Sequence, residues 1–394
     1  MKYESGMITA FKSKKAKKMA RGVIASFLGM LVMACSGCGG GGGSATSAPT
    51  PASAPQIAVG SQIVRATLPT YSDGRPQAAN RLPIQDYGIV IRHGAAPGGI
   101  DAQGARDVNV SESGGTYYMH YDGAPGNASW NTVLATSTDL INWSIKGNIM
   151  PLGAPGAQDS DCVCYGVTVF DGSQYQLYYT ASNIDWGDAP NIVPGPPYTT
   201  MKAHAASLAG PWTKDGPALM PASGTYYSDT SSPGQIIQYQ GQYLQYFSAA
   251  QNGAAGFQRT ISIARSASMS GPWTIDSAPI LPPTEQIENA SIYYQQSTQT
   301  YFLFANHVGT DVTDAVWVYW SQDPQHWNPA NKAVVVDAQS SNWAHWTIGI
   351  PSLIVVGDKL AVFYSGNAQA VSGFPANLNQ DIGLAWVTLP IKTP

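Results

Sequence analysis

Charge is scarce in this chain of 394 residues: 11% of it is Asp, Glu, Lys or Arg, and the formal net charge is −4. It carries no basic stripe to follow a phosphate backbone, so no nucleic acid is expected as a partner. Cysteine is scarce too, with four residues: Cys35, Cys38, Cys162 and Cys164. One Cys-x-Cys pair offers too few ligands for a zinc site. Alternate strand positions point to opposite faces, so a bond between Cys162 and Cys164 needs a bend in the strand; a disulfide and two free thiols both stay open. Helical periodicity is nearly absent, and the longest apolar run of the N-terminal region, 22–34, is too short for a comfortable membrane span.

What the chain does have is glycine (41), tyrosine (21) and tryptophan (11). Aromatic faces stack on sugars, so this composition suits carbohydrate contact; it equally suits any large all-β protein. The N-terminal region reads as a leader. Lys12, Lys14, Lys15, Lys17, Lys18 and Arg21 precede the apolar run, which closes on Leu31-Val32-Met33-Ala34-Cys35. That ending resembles a bacterial lipoprotein signal with Cys35 as the lipidated residue; Met33 departs from its usual pattern, so ordinary secretory cleavage and a retained anchor stay open. The expected organisation is a signal peptide over 1–35, a Gly/Ser/Pro tether over 36–56 and one domain over 57–394. The protein is expected to be exported and to meet a membrane only through the lipid anchor. The sequence assigns no oligomeric state.

Within the domain a unit recurs. A strand with polar residues at its start meets a tight turn, then an aromatic strand, a third strand of small residues and an outer turn marked by tryptophan. The first unit runs through 107–111, 117–121, 132–137 and Trp143. The second runs through 166–170, 175–181, 204–208 and Trp212, and the third through 235–239, 243–248, 260–266 and Trp273. The fourth comprises 290–295, 301–307, 315–321 and Trp327, and the last 352–356, 360–364 and 381–388. The turns Asp171-Gly172, Gln240-Gly241 and Gly357-Asp358 supply the positive φ that two-residue hairpins need. Five such units predict an all-β chain folded as a five-bladed β-propeller with four-stranded blades, a strand near 87–92 closing the ring with the last blade. The tryptophans at the outer turns read as packing.

In such a ring the innermost strands line a central channel, and their entry residues face one end of it. Those residues are Asp107, Tyr165-Gly166, 229–233, Glu288-Asn289 and 345–349. Carboxylates at a channel mouth are costly unless paired or used. Two of them around one substrate provide the acid and base that hydrolysis of a glycosidic bond requires.

Arg106-Asp107-Val108, Glu288-Asn289-Ala290-Ser291 and the closing strand Asp381-Ile382-Gly383-Leu384-Ala385-Trp386 resemble motifs of the five-bladed propeller glycoside hydrolases of families 43, 62 and 117. The resemblance implies an exported enzyme that cleaves an oligo- or polysaccharide, exo-acting and inverting. Asp107 is then the base, Glu288 the acid and Asp229 an orienting group, an acid layout nearest that of family 117. Asn289, Trp346 and the histidines His345, His307 and His204 become substrate-binding candidates. Family 117 also uses a histidine as acid, so Glu288 and a histidine both stand for that role. The second-blade acid of family 43 falls here on Gly166, with Asp159 and Asp161 as nearby substitutes. The third-blade acid falls near Ser232. No cofactor and no metal site are expected, although some family 43 members hold a structural calcium. The bland alternatives are an Arg106–Asp107 structural pair, a turn-capping Asp229 and a core His307; together they amount to a non-catalytic glycan-binding propeller or a surface scaffold.

Overall fold

Short apolar runs punctuated by glycine and proline build strands and nothing else of length. The computed structural model describes residues 59–71, 76–253, 256–308, 315–369 and 378–394. Among these there is no α-helix. The leader, Cys35 and the tether lie outside the described residues. Short strands β1 (Ser61–Gln62), β2 (Val64–Arg65) and β3 (Asn80–Arg81) precede β4 (Gln85–Ile91). A first antiparallel ladder follows: β5 (Gly104–Ser113), β6 (Thr116–Ala124), β7 (Trp130–Ser137) and β8 (Ser144–Asn148).

The second ladder starts with β9 (Cys162–Phe170) and β10 (Tyr175–Ser182). A small hairpin, β11 (Asp185–Trp186) with β12 (Val193–Pro194), interrupts it before β13 (Thr199–Ala205) and β14 (Thr213–Leu219) complete it. The third is β15 (Thr230–Tyr239), β16 (Gln242–Gly253), β17 (Gly256–Ser266) and β18 (Thr274–Ile275). The fourth is β19 (Ile287–Gln295), β20 (Thr300–His307), β21 (Ala315–Ser321) and β22 (Lys332–Val336). The last is β23 (Ile348–Val356), β24 (Lys359–Gly366) and β25 (Asp381–Thr388), with β4 from the start of the chain as its outer strand. Finally β26 (Ile391–Lys392) runs parallel to β1.

The turn chemistry works as the sequence implies. Gln240 and Gly241 take φ of 48° and 78°, the paired positive angles of a type I′ hairpin turn. The four outer tryptophans are ladder-to-ladder wedges. Trp212 meets His120 of the first ladder edge-on at 5.9 Å, Trp273 meets Tyr178 of the second at 5.9 Å and Trp327 meets Tyr246 of the third at 6.5 Å. Trp143 of the first ladder meets Phe363 of the last at 5.9 Å. Edge-to-face packing of this kind adds about 0.5–1.5 kcal/mol per pair beyond the buried area.

The core therefore lies between ladders. Along β24, Leu360, Val362 and Tyr364 pack with the fourth ladder, while Ala361 and Phe363 pack with the first. A strand buried on both faces has no polar side to show, which is why this segment reads as one apolar run. The first strands touch in the order β5, β9, β15, β19, β23 and back to β5. Side chains stitch several of these seams. The Val110 N–H donates to Ser352 Oγ (2.9 Å), Ser291 Oγ to the Pro351 carbonyl (2.7 Å) and the Ile292 N–H to Gln235 Oε1 (2.5 Å).

Candidate active site

Each first strand carries a bulge near its start. The pairing register slips between Arg106 and Asn109, across Cys164 and Tyr165, between Pro233 and Ile236, between Glu288 and Ser291, and between Gly349 and Ser352. A bulge adds a residue and turns the side chains beside it. Asp107, Asn289 and Ile350 sit in three of these bulges with φ of 53°, 58° and 52°. Non-glycine residues held there cost about 1–3 kcal/mol each, and such strain collects at functional sites. The bulge in β9 is also the bend that Cys162 and Cys164 need, and the two are bonded to each other.

The bulged ends surround a cavity of about 440 Å³. Asp107, Glu288 and Asn289 all line it. The second strands supply a further ring of polar side chains: Asp122, Thr180, Ser248, Asn306 and Ser365, one per ladder. Arg259, Tyr198 and Trp130 add a cation and two aromatic walls. The second-strand residues carry no motif. Their signal is a polar residue at the end of an otherwise apolar strand, Asp122 after Tyr121 and Asn306 after Ala305.

Arg106 Nε donates to Asp107 Oδ1 at 2.6 Å and its guanidinium lies 5.4 Å from the Trp130 ring. Asp122 stands opposite Arg106 in the ladder and is 1% exposed. Burial raises the pKa of Asp107, against the opposing pull of Arg106. Burial, reinforced by the Asp107 charge, raises Asp122 well above the carboxylate range. Asp122 Oδ1 has no donor, and the neighbouring carboxyl is Asp107. A hydrogen bond between the two requires one shared proton, and Asp122 is the carboxyl raised further, because the Arg106 bond offsets part of the burial of Asp107 and Asp122 has no such partner.

Across the cavity Glu288 Oε2 lies 3.1 Å from Arg259 Nε, and Asn306 Nδ2 donates to Glu288 Oε1 at 3.4 Å. Asn306 has room because residue 349 is glycine: a Cβ there would come within 2.6 Å of Asn306 Oδ1. Asn289 is fixed through Ser248, whose Oγ accepts the Asn289 N–H at 2.7 Å.

The other expected residues lie elsewhere. Asp229 is not among the lining residues; its backbone bridges Ala250 and Tyr198 while its neighbour Thr230 faces the cavity. His307 is fully buried and stacks on Trp317 with ring centroids 3.7 Å apart, a core position. His204, on the third strand of its ladder, pairs with Asp215 at 2.7 Å. His345 is bound to the Ala338 carbonyl (3.1 Å) and lines a separate open cleft beside Asn342 and Asp381. Trp346 is half-buried, with its N–H on the Asn367 carbonyl. Thus, among the described residues, no histidine lines the cavity. Asp159 is taken by Tyr179 and Lys214, and neither it nor Asp161 reaches the cavity. Gly166 sits just past the bulge, where a Cβ would be 2.7 Å from the Tyr178 carbonyl; the second ladder shows Cys164 and Tyr165 to the cavity instead. Among the described residues no group of three or more His, Cys, Asp or Glu is placed to hold a metal ion.

Solved structures share this architecture. The catalytic domain of the family 62 α-L-arabinofuranosidase of Coprinopsis cinerea superposes with a TM-score of 0.56 at 16% identity, over 78% of this chain and 98% of that one. Zg3597, a family 117 glycoside hydrolase of Zobellia galactanivorans, gives 0.53 at 17% identity, over 77% and 90%. A thermostable family 43 glycoside hydrolase gives 0.51 at 15% identity, over 74% and 91%. The chain shares the fold of the propeller glycoside hydrolases. These are the five-bladed propeller families that the motifs resemble. No family model and no curated protein sequence matches the chain.

Proposed function

We propose that the protein is an exported, lipid-anchored glycoside hydrolase built as a five-bladed propeller with four-stranded blades. The cyclic order of the five first strands and the Trp143–Phe363 wedge support the ring. The observation that carries the activity is that Asp107 and Glu288, from the first and fourth ladders, line one cavity and each is held by an arginine. Asp107 takes a proton from water, which attacks the anomeric carbon. Glu288 gives a proton to the departing oxygen, and the sugar product leaves with inverted configuration. Inversion asks for carboxyls about 6.5–9.5 Å apart, leaving space for that water. A bounded cavity of this size suits one terminal sugar, hence exo action.

The test is a screen on defined glycosides. It begins with α-L-arabinofuranosides, because the Coprinopsis neighbour is an arabinofuranosidase, and uses Asp107→Asn as control. Full activity in that variant sinks the assignment. A second reading, a glycan-binding propeller without turnover, is favoured by one observation: the resemblance to family 43 puts its second- and third-blade acids on Gly166 and near Ser232, and those ladders turn Cys164, Tyr165 and Ser232, not carboxylates, to the cavity. Calorimetric sugar binding with no product over days would establish it.

A further inference from the structure

We propose that Trp186 is a fixed stacking platform for a second sugar, so that the carbohydrate recognised is an oligosaccharide reaching out of the cavity rather than a single unit. This rests on the glycosidase reading and adds a specificity-determining residue to it.

Trp186 is 46% exposed, yet it lines the same cavity as Asp107 and Glu288. It sits on the β11–β12 hairpin, which the second ladder inserts between its second and third strands. An indole half exposed at the rim of a polar cavity presents a face that the apolar side of a sugar ring can cover. The hairpin that carries it is pinned. Trp130 Nε1 donates to the Ile192 carbonyl (2.9 Å), Tyr198 OH to the Pro194 carbonyl (2.7 Å) and Ser182 Oγ to the Gly195 carbonyl (2.5 Å). Val193 packs with Trp130 and the Cys162–Cys164 bridge. Two of the pinning residues, Trp130 and Tyr198, are themselves cavity walls, so the platform is tied to the site it serves.

Gly195 completes the arrangement. A Cβ there would lie 2.6–2.9 Å from three atoms of the indole, so only glycine lets the ring rest on the hairpin backbone. A ring supported from below loses little freedom when a sugar stacks on it, and preorganisation of this kind converts contact into affinity.

The experiment uses the full chain and two probes, methyl α-L-arabinofuranoside and arabinofuranosyl-substituted xylotriose, followed by sugar release and by calorimetry. Wild type is expected to prefer the oligosaccharide about tenfold or more in KM or Kd, the size of one aromatic stack. Trp186→Ala is expected to abolish that preference while leaving kcat and the methyl glycoside within twofold, and Trp186→Phe to keep most of it. An unchanged preference in Trp186→Ala overturns the proposal. So does an equal loss on both probes, or the absence of binding to either probe. Asp107→Asn separates the two readings: turnover that survives in it removes the catalytic assignment while the length preference, if present, still stands.

Discussion

Asp107 and Asp122 bring two carboxyls together in the wall of the cavity, from adjacent strands of one ladder, with Arg106 bonded to the first of them. Such a pair titrates as a unit, holding one proton over the range where isolated aspartates hold none. Removing Asp107 and removing Asp122 should therefore do different things. Asp107→Asn is expected to lower kcat by about 10²–10⁴, the usual worth of a general base. Asp122→Asn keeps a neutral hydrogen-bond donor beside Asp107, so activity should stay within about tenfold and the acidic limb should stay in place, whereas Asp122→Ala removes the donor and should move that limb to higher pH. pH–rate profiles of these variants decide this; an unmoved limb in Asp122→Ala would refute the shared proton.

Glu288 should reveal its role through the leaving group. Protonation matters most when the departing oxygen is a poor leaving group, so Glu288→Gln should lose about 10²–10⁴ in kcat on a natural linkage. It should lose far less on an aryl glycoside with an acidic phenol. Equal losses on both substrates would assign Glu288 to binding. Arg259, 3.1 Å from Glu288, holds that carboxyl in place, so Arg259→Ala should lower kcat more on the natural linkage than on the aryl glycoside.

Stability is expected to hinge on a buried pair just upstream of Glu288. Lys332 Nζ lies 2.8 Å from Glu285 Oε2, Tyr319 OH donates to the same oxygen at 2.6 Å, and the side chains of Lys332 and Glu285 are at most 8% accessible. Lys332→Met strands a buried carboxylate and should cost about 3–5 kcal/mol in a denaturant titration. Replacing both charges, Glu285→Leu with Lys332→Met, should recover most of that loss. A single variant as stable as wild type contradicts the account.

A separate pH effect belongs to His93. Its Nδ1 lies 2.7 Å from Asp381 Oδ1, and this hydrogen bond raises its pKa against partial burial. The folded state binds the proton more tightly, so the contribution is fully present below the unfolded value of about 6.5 and disappears as pH climbs through the higher folded value. Thermal midpoints across pH 5.5–9 should show this loss in wild type, and His93→Gln should flatten it.

Turn chemistry, strand alternation and the recurring tryptophans were enough, from sequence, to place most strands and to pick Asp107, Glu288 and Asn289 as cavity residues. The alternation pattern begins later than the strands do, at Gly166 where β9 starts at Cys162 and at Gln235 where β15 starts at Thr230, because bulges and polar cavity residues break the period-two pattern there. The histidines misled for a related reason. His307 lies on an apolar strand whose two faces are told apart only by the neighbouring ladder, and Trp317 occupies the space beside it.

Local preferences are short-range, so the order of residues alone determined the strand-and-turn grammar and the scarcity of charge. Only the tertiary structure decided that Asp122, Asn306 and Arg259 join the two acids, and that a hairpin sets Trp186 at the rim. Those residues are far apart along the chain or lack any motif, and what unites them is the curvature of sheets packed face to face.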